Sequence, residues 1–267
     1  MVSFTREKSE DGVTERLFDL TVDGERVPAV LWAPEGAKGP RPLILMGHGG
    51  SQHKKIGTLA ARARQYAQRL GYATLALDAP GHGDRISREQ AEKLAAEVGA
   101  RVRGEAGSNP GMSAEMMKTM TERSRRAVPE WQAGLDAVQA LDFVGSGGPV
   151  GYWGVSMGTA IGVPFLAAEP RIKCAVLGLA GLRPGADAFE QAAKAITIPL
   201  EFVFQWEDAV APRENGIALF NAFGSKEKTM HINPGAHIAI PNFEGASWER
   251  FFVRHLDTAK EFARAAE

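Results

Sequence analysis

The chain has 267 residues, with 31 Lys+Arg against 32 Asp+Glu, a net charge of -1, 44% hydrophobic residues and 24% charged ones. That is an ordinary globular composition; it excludes a disordered or fibrous chain, and the balanced charge supplies no basic field for nucleic acid. One cysteine, Cys174, excludes an internal disulfide framework and a Cys-based zinc site, and its apolar surroundings at 172–179 mark it as a small buried hydrophobe.

The N-terminus, MVSFTREKSEDG, is charged and has no signal-peptide core. No apolar run approaches the ~20 residues that span a bilayer, so a cytoplasmic protein that avoids the membrane is expected. Two β-like runs, 16–22 and 27–32, flank Asp23-Gly24, a good hairpin turn. The apolar run 43–46 suits a buried strand and stops at Gly47-His48-Gly49-Gly50-Ser51. An amphipathic helix over 59–70 closes at Gly71, and a strand over 73–77 ends in Asp78-Ala79-Pro80-Gly81-His82-Gly83.

Residues 84–130 interrupt the rhythm with helical patterns at 88–103 and 112–126 around a loop at 104–111. An insertion at the end of a strand, where α/β sheets bind ligands, predicts a small helical lid. Its Arg123, Arg125 and Arg126 read as a solvated face. Beyond it the expected elements are helix 131–144, strand 150–153, helix 157–168, strand 172–179, helix 186–195, strand 200–204, helix 213–223, strand 228–232 and helix 248–265. Strands alternating with helices predict one α/β domain over 1–267: a mostly parallel eight-stranded sheet, helices on both faces, and the leading hairpin as its antiparallel edge.

The sharpest local feature is Gly154-Val155-Ser156-Met157-Gly158, between a predicted strand and a predicted helix. A serine on so tight a turn needs neighbours without side chains, and the turn lifts its hydroxyl above the sheet edge. It also leaves the Met157 N–H at a helix N-terminus, aimed where an oxyanion would form. A serine nucleophile needs a base, and six histidines compete. His237 follows the last strand at the same sheet edge as Ser156, whereas His48 and His82 sit in glycine turns with simpler structural uses. His53 reads as surface, His231 as a strand residue and His255 as part of the final helix. The imidazole in turn needs a carboxylate to hold its tautomer. Asp208 is favoured after strand 200–204, and the adjacent Glu207 reads as a solvated neighbour.

The order Ser156, Asp208, His237 resembles an α/β-hydrolase-fold serine hydrolase, close to small esterases and dienelactone-hydrolase-like proteins. The resemblance runs from the Gly47–Ser51 turn through 78–83 and the 154–158 turn to the loops of Asp208 and His237. It implies that Gly50 supplies the second oxyanion N–H, with Ser51 next in line. The chain differs from dienelactone hydrolases, which usually carry cysteine at the nucleophile position. A small-molecule ester is the expected substrate, with no cofactor and no metal. The spacing of Asp78, His82 and Asp84 reads as structural, since the family uses that loop to shape the mouth of the site. Met112, Met116 and Met120 form an i, i+4 stripe in the lid, better explained by packing than by substrate. Met116, Met120, Ser51 and Trp206 are the candidate pocket residues; Trp153 is as easily core as wall. With no charged selector evident, a small or medium uncharged ester with an apolar acyl part is expected. Carbon–carbon cleavage of an aromatic meta-cleavage product, or ligand binding without catalysis, are the competing readings. The oligomeric state is left open, a homodimer included.

Overall fold

The computed structural model describes residues 2–105 and 114–257. Its centre is a nine-stranded sheet in the order β1-β2-β3-β5-β4-β6-β7-β8-β9. The strands are β1 (Phe4–Glu10), β2 (Val13–Val22), β3 (Glu25–Pro34), β4 (Leu43–Gly47), β5 (Ala73–Leu77), β6 (Val150–Val155), β7 (Ile172–Gly178), β8 (Leu200–Gln205) and β9 (Lys228–Asn233). The first three strands and β5 pair antiparallel in series; every pair from β5 through β4 to β9 is parallel.

One strand exceeds the expected eight. β1, FTREKSE, is exposed at all but its first residue, so it has no apolar face by which a sequence pattern could be recognised. It pairs with β2 through a two-residue turn at Asp11-Gly12, where both residues have positive φ (52° and 73°). The expected hairpin at Asp23-Gly24 has the same geometry (51° and 78°). Charged side chains on an edge strand also discourage pairing with other chains.

The helices are α1 (Gly57–Leu70), α2 (Arg88–Val102), α3 (Ala114–Gln139), α4 (Met157–Ala168), α5 (Asp187–Ala195), α6 (Arg213–Ala222) and α7 (Phe243–Leu256). β4 and β5 are buried at every position, as strands covered on both faces must be. Their alternate side chains divide between two cores. Leu43, Leu45, Leu75 and Leu77 join Trp131, Leu135, Ile161 and Phe165 from α3 and α4. Ile44, Met46 and Ala76 join Leu59, Tyr66, Trp248 and Phe252 from α1 and α7. Among the described residues no helix is long and apolar enough to cross a membrane.

The insertion departs from expectation in its second half. α3 is one helix of 26 residues that runs through Pro129, where two helices were expected. Proline removes the N–H that would serve the carbonyl of Arg125, but Arg125 is exposed to water. Ala127, Trp131, Leu135 and Val138 bury one face of the helix on the core, and that packing overrides the local break. α2 has no buried residue and starts with a capping box formed by Ser87 and Gln90. The end of the expected helix 248–265 beyond 257 lies outside the described residues.

The chain reverses its winding direction at β4, which pairs with β5 on one side and β6 on the other. Gly47 at the end of β4 faces Gly154 of β6. The crevice at such a reversal, beyond the carboxyl ends of the strands, is where open α/β sheets bind ligands.

Candidate active site

Ser156 stands at that crevice between β6 and α4 with φ 58° and ψ −117°, a conformation that side chains rarely adopt. Holding it costs on the order of 1–3 kcal/mol, which the surroundings must over-determine. Close approach explains both flanking glycines. A Cβ at Gly158 would stand 2.6 Å from the Gly47 carbonyl oxygen, and one at Gly154 would stand 2.9 Å from the Tyr152 ring. The buried Thr159 hydroxyl lies 2.8 Å from the Gly154 carbonyl and 2.6 Å from that of Gly178, and accepts from the Gly178 N–H at 2.8 Å. Tyr152 Oη donates to the Gly158 carbonyl at 2.7 Å. Sequence reading singled out neither Thr159 nor Tyr152, because each acts through a partner distant in the chain or hidden by the turn.

The Ser156 hydroxyl is 2.9 Å from His237 Nε2, and His237 Nδ1 is 2.7 Å from Asp208 Oδ2. The Asp208 side chain is fully buried and that of His237 nearly so. Asp208 Oδ1 accepts the N–H groups of Val210 (2.8 Å) and Ala211 (2.9 Å), which leaves Oδ2 for the imidazole. Nδ1 therefore carries the proton and Nε2 is free to accept one from serine. Glu207 is not simply solvated: its carboxylate accepts the Gly235 N–H and so helps to shape the loop that carries His237. Gln205 does the same from beneath, its amide donating to the Ala239 carbonyl at 2.7 Å.

Met157 is buried, and its N–H is the first of α4, with no partner inside the helix. In the opposing turn the Gly49 N–H is taken by Gln52 Oε1 at 3.0 Å, so the next candidate donors are Gly50 and Ser51. Ser51 has φ 58°. A Cβ at Gly50 would stand 3.9 Å from Val98, which puts α2 over this loop. Trp206 is 46% exposed, with the Arg213 guanidinium 4.7 Å from its ring centre. Trp153 belongs to the core, 5.5 Å from the ring of Trp248. Met120 is half-buried; Met112 and the side chain of Met116 lie outside the described residues.

His48 and His82 serve as struts. His48 donates from Nδ1 to the Gly49 carbonyl (2.9 Å) and accepts the Ala79 N–H on Nε2 (3.1 Å), joining the two glycine loops. His82 donates to the Pro80 carbonyl at 3.1 Å. Burial pushes both imidazoles down to about 4, from an ordinary value of 6.5. The unfolded chain therefore binds protons first as pH falls below about 6.5, and stability drains away until about pH 4. The two rings stand 5.5 Å apart and repel when both are charged, so their effects are shared rather than additive; together they amount to on the order of a few kcal/mol, a large share of a typical stability. The urea midpoint is expected to fall steeply between pH 6.5 and 4.5, and a flat profile would contradict this account.

The carboxylates of the pattern Asp78, His82 and Asp84 both face Lys54. The Lys54 ammonium lies 2.7 Å from Asp78 and 2.5 Å from Asp84, so a cation is already built in. Cys174 is buried, which holds its thiol protonated well above the ordinary range. The arginine cluster is only partly a solvated face. Arg125 pairs with Glu122 and Arg126 with Glu25, but Arg123 turns inward, its Nη1 3.7 Å from the Met157 sulfur. Its orientation depends on how α3 lies over α4, which helical periodicity does not specify. Arg183 also lies near the site, donating to the Val210 carbonyl at 2.7 Å.

A mostly parallel sheet with helices on both faces and a glycine-flanked serine turn after a central strand defines the α/β-hydrolase fold. No protein-family model and no curated protein matches the chain. Among solved structures, it is 32% identical to a cold-adapted esterase from an Arctic intertidal metagenomic library, bound to PEG, over 95% of this chain and 99% of that one, with a TM-score of 0.75. It shares its fold with the acetyl xylan esterase of Paenibacillus sp. R4 (16% identity, 96% and 88% of the two chains, TM-score 0.72). It shares it too with Est1E of Butyrivibrio proteoclasticus bound to ferulic acid (17%, 90% and 99%, 0.64). The chain belongs to the α/β-hydrolase esterases, the family of the Arctic enzyme.

Proposed function

We propose that this chain hydrolyses small or medium carboxylic esters through an acyl-enzyme on Ser156. The observation that carries the reading is the continuous relay from the Ser156 hydroxyl to His237 (2.9 Å) and on to Asp208 (2.7 Å). Ser156 Oγ attacks the ester carbonyl carbon as His237 Nε2 takes its proton, and the Asp208 carboxylate stabilises the imidazolium. The N–H groups of Met157 and Gly50 hold the oxyanion; each such donor is typically worth about 10²–10³ in rate. His237 returns the proton to the departing alcohol, then activates water to release the acid and restore the serine. A fluorophosphonate probe tests the assignment. Peptide mapping is expected to find the adduct on Ser156; a folded, unlabelled enzyme would overturn it.

One observation favours a second reading, in which the acyl group carries a carboxylate. Arg123 is half-buried beside Met157, its charge reaches His82, and it has no ion-pair partner among the described residues. A charge-assisted hydrogen bond to substrate is worth about 1.5–3 kcal/mol, or roughly ten- to a hundredfold. The test compares kcat/KM for mono-p-nitrophenyl succinate and p-nitrophenyl butyrate. Arg123→Met is expected to lower the ratio about tenfold if the anionic ester is preferred; an unchanged ratio returns the neutral ester as the substrate.

A further inference from the structure

The last two strands and the final helix enclose a second polar cluster that the ester chemistry does not use. Val203 of β8 pairs with His231 of β9, which sets Glu201, two residues earlier on β8, diagonally beside His231 on the same face. That face is covered by α7, and Val203 packs there with Trp248 and Phe252. Glu244, in the first turn of α7, completes the group. Two buried carboxylates and one partly exposed imidazole thus meet at the margin of that apolar layer, with Glu201 5% and Glu244 1% exposed.

The cluster is incompletely satisfied as a hydrogen-bond network. Glu244 is well served: Oε1 accepts from the Asn233 amide at 2.8 Å, and Oε2 lies 2.8 Å from His231 Nδ1. Glu201 Oε1 has no hydrogen-bond donor, although it is buried and only 3.6 Å from the same His231 nitrogen. Ser247 and Arg250 also face Glu201. The Nδ1 proton of His231 is directed at Glu244, and Arg250 reaches Glu201 by charge, without a hydrogen bond to its Oε1. Buried charges left short of partners are costly.

We propose that Glu201, His231 and Glu244 form a binding site for a divalent transition-metal ion of the zinc type. Glu201 Oε1, His231 Nδ1 and one oxygen of Glu244 all lie within 4.8 Å of one another. Ligands at about 2.0–2.2 Å from a tetrahedral ion stand roughly 3.3–3.6 Å apart, so the 3.6 Å pair already fits and the 2.8 Å pair opens by less than an ångström. An imidazole beside two carboxylates suits zinc or manganese; magnesium and calcium prefer sets made wholly of oxygen. The His231 side chain is 32% exposed, which gives the ion a way in and a water ligand a place. Binding displaces the Nδ1 proton of His231, neutralises both carboxylates and ties α7 to the end of the sheet. Asn233 and Glu244 bracket the loop that carries His237, so the ion braces that loop without touching the reacting atoms.

The test is calorimetric titration of the EDTA-stripped full-length protein with zinc chloride, with magnesium chloride as the control ion. One zinc per chain is expected, magnesium is not, and the melting temperature should rise with zinc. His231→Ala and Glu201→Gln should each weaken zinc binding at least tenfold and abolish the thermal shift. Both should retain turnover of p-nitrophenyl acetate, which shows that they fold. Glu201→Gln keeps the shape of the buried side chain and carries the test by itself if His231→Ala is unstable. No zinc binding at 0.1 mM (on the order of a weak site), or binding that both variants leave unchanged, overturns the proposal.

Discussion

Ser156→Ala is expected to lower kcat on p-nitrophenyl acetate by about 10⁴–10⁶, the loss seen when a triad nucleophile is removed. The change deletes one oxygen, 2.9 Å from His237 Nε2, and leaves the turn around it intact. Serine and alanine bear the positive φ at 156 about equally, because both carry a Cβ. The melting temperature should therefore change little, which separates lost chemistry from lost fold. Residual turnover from the oxyanion N–H groups alone is compatible with the assignment; turnover within tenfold of the parent is not.

Asp208→Asn is expected to cost about 10⁴ in kcat, through geometry more than through charge. Asp208 Oδ1 is anchored by the N–H groups of Val210 and Ala211. An asparagine in its place must keep its oxygen there and turn its amide N–H₂ towards His237. An amide donor facing Nδ1 selects the tautomer protonated on Nε2, which cannot accept the serine proton. Glu207→Gln offers the contrast: its carboxylate meets the Gly235 N–H and not the imidazole, so a loss below about tenfold is expected. Equal losses at the two positions would refute the division of labour between these adjacent carboxylates. Proton NMR of the imidazole would show the tautomer directly.

Legibility in the sequence followed the range over which each cause acts. Asp23-Gly24 was readable as a hairpin because its strands carry apolar alternation, whereas Asp11-Gly12, with the same backbone, was hidden by the charged edge strand β1. Pro129 reads locally as a helix end, and the buried face of Ala127, Trp131 and Leu135 carries the helix past it. The glycines flanking Ser156 could be explained from the turn alone, but the contact of Gly158 with the Gly47 carbonyl comes from a neighbouring strand.

By itself the sequence determined the alternation of strands and helices, the parallel sheet and the glycine-flanked serine, because these rest on backbone preference and on apolar periods of two and 3.6 residues. Loop order at one sheet edge was enough to nominate Asp208 and His237. Tertiary structure alone decided which oxygen of Asp208 faces the imidazole, that Glu207 supports the histidine loop, that Arg123 turns in beside Met157 while Arg125 and Arg126 turn out, and that Glu201, His231 and Glu244 meet under α7. The reason is common to all four. Each depends on the direction of a side chain across a contact between elements distant in sequence, and that direction is set only when helices settle on the sheet.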